Sequence, residues 1–305
     1  MTAKAAHGET TPVDLAAMWR FGGLSIRDLV ARSIAAYGKN QLNARGAQFA
    51  FYAMLGLAPL LIVILSTVSH LPISGVRRSF LKAVQTGMPE NVASLIESQV
   101  IDIQERSSLS LIAIGVVLLS IAGSRIFLTM AAALDVAYAV EHRRRIWKSG
   151  LLALGLTFVV FVMFVIALAF QVVGPILTDT LTSRVQAAWV HVALSSVVRW
   201  TVAATFLLAA TSIIYWASPS VKLRWYPISP GSVFATAGWI AATQGFRLYV
   251  QNFGRYNETY GTLGAVIVLM IWLYMTGTVL MIGGQINGVI HAAATRRAEQ
   301  ETTAE

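Results

Sequence analysis

Eight residues hold most of the polar chemistry in an otherwise apolar chain. Arg125 and Asp135 stand ten positions apart within one long apolar run. Asn252, Tyr256, Asn257, Tyr260, Gly261 and Gly264 crowd into "NFGRYNETYGTLGAVIVLMIWLYM" (Asn252–Met275), whose second half is apolar. An arginine in hydrocarbon costs about 2.5–3.5 kcal/mol on insertion scales, so it tends to face a partner or water. At 100° per residue Asp135 is turned by about 80° from Arg125, onto a neighbouring helix face. Snorkelling to the interface is the plain alternative, most natural for Arg199 and Arg247 near the ends of their runs. In the second group, amide and phenol groups beside glycines can hydrogen-bond a headgroup or polyol. The helix that follows attracts anions at its N-terminus, which carries about half a positive charge. The same residues also make a tight loop and cap, with Thr259 or Thr262 as N-cap and Gly261 and Gly264 allowing close backbone approach.

Hydrolysis needs more than this. Metal-assisted hydrolysis requires clustered carboxylates or histidines. Glu90, Glu97, Asp102 and Glu105 instead fall on the polar faces of helical patterns. The five histidines show no pair at metal-ligand spacing, and the chain has no cysteine. No GxSxG, P-loop or HExxH motif is present. No catalytic constellation, metal site or cofactor is expected, and ATP could drive the chain only through a partner.

The elements that must position these residues follow from composition. Hydrophobic residues are 56% of the 305 positions and charged ones 12%, against about 25% charged in a soluble domain. Lipid is the solvent that tolerates such a surface. Six stretches can span a bilayer core: Ala44–Ser69, Leu109–Tyr138, Trp147–Val173, His191–Ala217, Gly231–Val250 and Thr262–Ile290. Gln244 and Arg247 interrupt the fifth, and Pro59 in the first is expected to kink its helix. Gly284 and Gly288 in the sixth form a small-xxx-small pair suited to close helix packing. Gln285 and Asn287 beside them suit packing hydrogen bonds or a polar lining.

The expected organisation is a cytoplasmic segment over 1–43, a six-span domain over 44–290 with an extracytoplasmic helical insertion at 71–107, and a polar tail over 291–305. The leading residues lack the apolar core of a secretory signal, so a later span directs insertion. Ile26, Leu29, Val30, Ile34 and Tyr37 form an apolar stripe opposite basic residues, the pattern of an interfacial helix. Of 23 Lys and Arg residues, 14 fall on the side of the N-terminal segment and the 143–148 loop, six on the other side and three inside spans. The positive-inside rule then places both termini in the cytoplasm. The net charge of +9 is spread along span borders rather than gathered on one face, so nucleic acid is not an expected partner.

Three blocks carry a family resemblance. "NFGRYNETYGTLGAVIVLMIWLY" resembles the signature of the YihY/virulence factor BrkB membrane proteins, NFxxYNxTYGxLGAVIxLxxWLY. "GAQFAFYAMLGLAPLLIVI" (Gly46–Ile64) is similar to that family's first span. "GSRIFLTMAAALDVAYAVEHRRRIW" (Gly123–Trp147) is similar to its second span and basic loop. Gln48, Gly56, Asp135 and Arg247 depart from the residues usual in the family. The resemblance covers roughly residues 25–290. It implies an all-α, six-span protein of the bacterial inner membrane that transports an amphiphile, such as an envelope lipid, or a small solute. A non-transporting scaffold for envelope assembly is the alternative. The family's older label, a tRNA-processing ribonuclease, is regarded as mistaken. Membrane lipids and a lipid or solute substrate are the expected partners, and the oligomeric state is open.

Overall fold

The computed structural model describes residues 14–69, 93–94, 109–140, 142, 144–182, 188–221, 223–252 and 262–304. Every regular element among them is helical. Two helices precede the apolar bundle, α1 (Leu15–Trp19) and α2 (Ile26–Lys39), with one 3-10 turn between them at Phe21–Gly23. Six long helices follow: α3 (Leu42–Ser69), α4 (Leu109–Ala137), α5 (Ile146–Thr182), α6 (Ala188–Ala217), α7 (Pro230–Asn252) and α8 (Thr262–Ala304). The fold is all-α, and each expected span coincides with one of these six. Five of them (α3, α4, α5, α6 and α8) are long and apolar enough to cross a membrane. The 23 residues of α7 reach about 35 Å, but Gln244 and Arg247 lower its apolar character. The expected outer helical insertion lies outside the described residues apart from helical Ala93 and Ser94, of which Ala93 is buried.

The six long helices close a ring. α3 packs on α4, α4 on α5, α5 on α6, α6 on α7, α7 on α8, and α8 returns to α3; α4 and α8 also touch across the middle. One core draws on all six: Leu42 and Phe49, Met130 and Leu134, Ala153 and Leu156, Ile214 and Tyr215, Ala235, then Leu280 and Met281. This core sits where α3, α5 and α7 begin and where α4 and α6 end. We call this the terminal end, because the N-terminal segment packs there against the last third of α8. Lipid gives helices no hydrophobic reason to associate, so close packing must do it. Small residues permit that packing. A Cβ at Gly115 of α4 would stand 2.9 Å from Ile62 Cγ2 and Val63 Cγ2 of α3. One at Gly288 would stand 2.5 Å from the Ala137 carbonyl oxygen, and one at Gly284 would collide with Leu134. The Gly284–Gly288 pair thus holds α8 against α4. α3 runs as one helix through Pro59.

The N-terminal segment folds back under the bundle. Asp14 caps α1, its carboxylate accepting from Leu15 N at 2.7 Å. Ser25 caps α2, its hydroxyl accepting from Asp28 N at 3.1 Å. Between them Gly22 and Gly23 take φ of +61° and +80°, values that favour glycine. That turn seats Gly22 so near Ile290 O of α8 that a Cβ would lie 2.7 Å away. Met18, Leu29 and Ile290 form the buried centre of this contact. The expected interfacial stripe is therefore divided. Leu29 and Tyr37 face protein, while Ile26, Val30 and Ile34 remain exposed. Exposed Trp19, Trp147, Trp216 and Trp225 lie at the same end, an aromatic belt such as marks a membrane–water boundary. α8 continues unbroken through the segment expected as a polar tail, for 43 residues in all.

Candidate functional site

Polar side chains concentrate at the terminal end, and Asp135 is among them. It is buried in the last turn of α4. Its carboxylate accepts from Ser220 N at 2.7 Å and from the Ser220 hydroxyl at 3.0 Å. The Ser220 hydroxyl also accepts from Arg144 N at 3.3 Å, and the Arg144 guanidinium donates to Ala217 O at 2.9 Å. Asp135 thereby ties the end of α4 to the link after α6 and to the start of α5. A buried carboxylate needs such donors. Sequence reasoning placed Asp135 beside a span but could not find Ser220, which lies 85 positions away.

The start of α7 is a second cluster. Pro230 occupies the first helical position, where its missing N–H costs nothing. Gly231 N donates to Asn287 Oδ1 of α8 at 2.8 Å, and Ser232 N donates to the Ser229 hydroxyl at 3.2 Å. Asn287 Nδ2 completes the cluster, donating to the Ser229 hydroxyl at 2.8 Å. The free N–H groups of this helix end are satisfied by protein. Gln285 is also paired, accepting from Asn40 Nδ2 at 2.6 Å. Gln285 and Asn287 thus make packing hydrogen bonds. The Ser-Pro-Gly-Ser run at Ser229–Ser232 carries the signal of a helix start.

Between these clusters lies a cleft of about 20 Å³, lined by Tyr138, Ser212, Tyr226, Asn287 and His291 and bordered by Met18. That volume holds about one water molecule. Burial pushes the Tyr226 phenol above its ordinary range, against the lowering effect of nearby Arg224. It remains a neutral hydrogen-bonding group.

Arg125 and Asp135 are not brought together. Ten residues separate them by about 15 Å along α4, and Arg125 is exposed on the outside of the ring. Its side chain makes no hydrogen bond or ion pair among the described residues. Gln48 is likewise exposed on neighbouring α3. Asn252 is the last residue of α7, and Gly264 is buried in the first turn of α8. Tyr256, Asn257, Tyr260 and Gly261 lie outside the described residues. Among those described, no three His, Cys, Asp or Glu side chains gather as metal ligands.

The family model described as virulence factor BrkB matches residues 33–305. A Bacillus subtilis protein, YfkH, named as ribonuclease-like, is 30% identical over 255 residues, covering 84% of this chain and 92% of the relative. A UPF0761 membrane protein of Tolumonas auensis is 26% identical over 258 residues, covering 82% and 81%. Another from Vibrio vulnificus is 22% identical over 291 residues, covering 87% and 82%. No solved structure matches. With its long apolar helices and a match that runs nearly end to end, the chain is a multi-pass membrane protein of the virulence factor BrkB family.

Proposed function

We propose that this protein moves an amphiphile, an envelope lipid, between the leaflets of a bacterial inner membrane, along its outer surface rather than through its centre. The observation behind this reading is the filled interior at the terminal end. Side chains from six helices close the core there, the amides of α8 are bonded to protein, and the cleft beside them has room for about one water. A water-filled solute path needs polar groups facing a cavity, whereas Gln48 and Arg125 face outward. In this reading all six long helices span, with both termini cytoplasmic as the cation bias favours. Asn252, Tyr256, Asn257, Tyr260, Gly261 and Gly264 form the far-side contact for the headgroup. Nuclease chemistry is not part of the proposal, even though the Bacillus relative is named as ribonuclease-like. The described residues offer no metal-ligand cluster to activate water.

The test is reconstitution into phosphatidylglycerol–phosphatidylcholine vesicles containing a trace of fluorescent lipid. Outer-leaflet label is then bleached with dithionite. The protein should raise the bleached fraction above the half seen in empty vesicles while a trapped small solute stays inside. Bleaching equal to empty vesicles, or leakage of the solute, overturns the proposal.

The scaffold reading has one observation in its favour. At about 64 Å, α8 is twice as long as the hydrocarbon core is thick. Its last turns, braced by the N-terminal segment, offer a rigid post for another protein. Loss of function on removing residues 298–305 from a protein that moves no lipid in vesicles would favour that reading.

A further inference from the structure

We propose that Arg125 is a binding site for the phosphate of an anionic lipid, drawn inward along the outer face of α4. The inference rests on the amphiphile reading above, and names the headgroup chemistry and the residue that meets it. α4 runs from Leu109 to Ala137, so its midpoint is residue 123. Arg125 lies two residues, about 3 Å, from that midpoint. With a hydrocarbon core about 30 Å thick, each headgroup layer is about 15 Å away. Ile114, Val117, Leu118 and Ile121 are exposed, and their spacing of three and four makes one outward stripe. Arg125 continues that stripe, and its guanidinium has no side-chain partner among the described residues.

Geometry limits its escape. Helical side chains lean toward the helix N-terminus, which for α4 is the Leu109 end. That carries the guanidinium toward the bilayer centre, away from the nearer terminal-end boundary. An unpaired cation at this depth is resolved by thinning the bilayer and admitting water and headgroups. A phosphate is the matching ligand, because a guanidinium can hold two of its oxygens at once. Gln48 supplies a polar step on the way. A Cβ at Gly56 of α3 would lie 3.4 Å from Ala122 Cβ of α4. In that register exposed Gln48 falls about 7 Å nearer the terminal end than Arg125. The hydroxyls of Ser120 and Ser124 donate to the carbonyls of Val116 and Ser120 at 2.6 Å each, and neither accepts from the guanidinium.

A second copy of the chain fits this face poorly. Its two glycines point inward, Gly115 toward α3 and Gly123 toward Thr157 of α5. The outward stripe therefore lacks the small residues of a close helix contact. A two-fold interface sets the same patch against itself, which would bring two Arg125 side chains together.

The test is native mass spectrometry of the full chain in micelles containing equal phosphatidylglycerol and phosphatidylcholine. The wild type should retain phosphatidylglycerol over phosphatidylcholine by about fivefold, the ratio for ~1 kcal/mol per headgroup contact. Arg125→Gln should lose that preference, Arg125→Lys should keep part of it, and Arg247→Gln should match the wild type. Equal retention by the wild type and Arg125→Gln overturns the proposal. So does a wild-type dimer that Arg125→Gln dissociates, because a second copy would then cover the face. A nitroxide on Ile121→Cys leaves Arg125 intact and keeps the test open if Arg125→Gln fails to fold. It should report a wetter site than one on exposed Val159→Cys of α5, which the contact of Gly123 with Thr157 places at about the same depth. An equally dry pair overturns the proposal. Preferential retention without lipid movement in vesicles would overturn translocation and leave this site standing.

Discussion

Asn287→Leu removes the amide from the seam between α7 and α8 while keeping the branched shape and the number of heavy atoms of the side chain. Two interactions go with it. Gly231 N loses its acceptor at 2.8 Å, and the Ser229 hydroxyl loses a donor at 2.8 Å. The stranded N–H lies in a buried cluster, where an orphaned donor costs about 1–3 kcal/mol. The amide-to-hydroxyl bond adds about 0.6–1.7 kcal/mol, from the average to the largest contribution of such bonds between membrane helices. The total is about 2–5 kcal/mol, equivalent to about 4–10 °C in unfolding midpoint at about 2 °C per kcal/mol. The assay is thermal unfolding of purified protein in mild detergent, followed by tryptophan fluorescence. Ser229→Ala supplies the second arm of a cycle, since residues sharing a hydrogen bond are not additive. The double variant should lose less than the sum of the two single losses. An Asn287→Leu midpoint within 1–2 °C of the wild type (well under the ~4 °C expected), or a strictly additive cycle, would refute the reasoning.

Four further outcomes are expected. Gly288→Leu should sharply lower membrane abundance, because its Cβ meets the Ala137 carbonyl oxygen at 2.5 Å and backbone cannot step aside. Gly38→Ala, with nothing within 4 Å, should be neutral or stabilising by up to about 1 kcal/mol; immunoblots of membranes read both. Asp135→Ala should strand Ser220 N and lower the unfolding midpoint, whereas Asp135→Asn, which keeps an acceptor for it, should lose less. In intact cells a cysteine at Glu258 should react with an impermeant maleimide and one at Arg144 or Arg297 should not; the reverse pattern overturns the proposed topology.

The long helices were legible because hydrocarbon imposes a local rule, about 20 apolar residues per crossing, that a single run either meets or does not. α7 is the instructive case. Its interruption by Gln244 and Arg247 was visible, and the same residues leave it short of the apolarity of the other five long helices. The length of α8 was not legible, because Arg296, Arg297, Glu299 and Glu301 resemble a solvated tail. What the one-dimensional pattern hides is a docking partner, since Gly22, Gly23 and Met18 reach that stretch from the far end of the chain. Asp135 was conspicuous, but the partners that make it a structural tie are distant in sequence, and no local periodicity reports them. For Arg125 the residues alone left a partner, water and snorkelling open. The fold turns it outward and leaves it unpaired among the described residues.

The glycines of α8 sit at its centre of length. Thr262–Ala304 has its middle at Gly283, next to Gly284 and one turn before Gly288. At these positions neighbouring atoms come within 2.6 Å of where a Cβ would stand, from Gly231 of α7 and from Leu134 and Ala137 of α4. A stiff rod gripped at its midpoint behaves as a balance beam. Each arm is 21 residues, about 32 Å, one ending beside the stretch that follows α7 and the other beyond the tryptophan belt. A rock of about 5° at the fulcrum would carry the two tips about 3 Å in opposite directions without breaking one helical hydrogen bond. A push on the Thr262 tip would therefore be felt, reversed in sense, at Arg297 and the N-terminal turn that grips it.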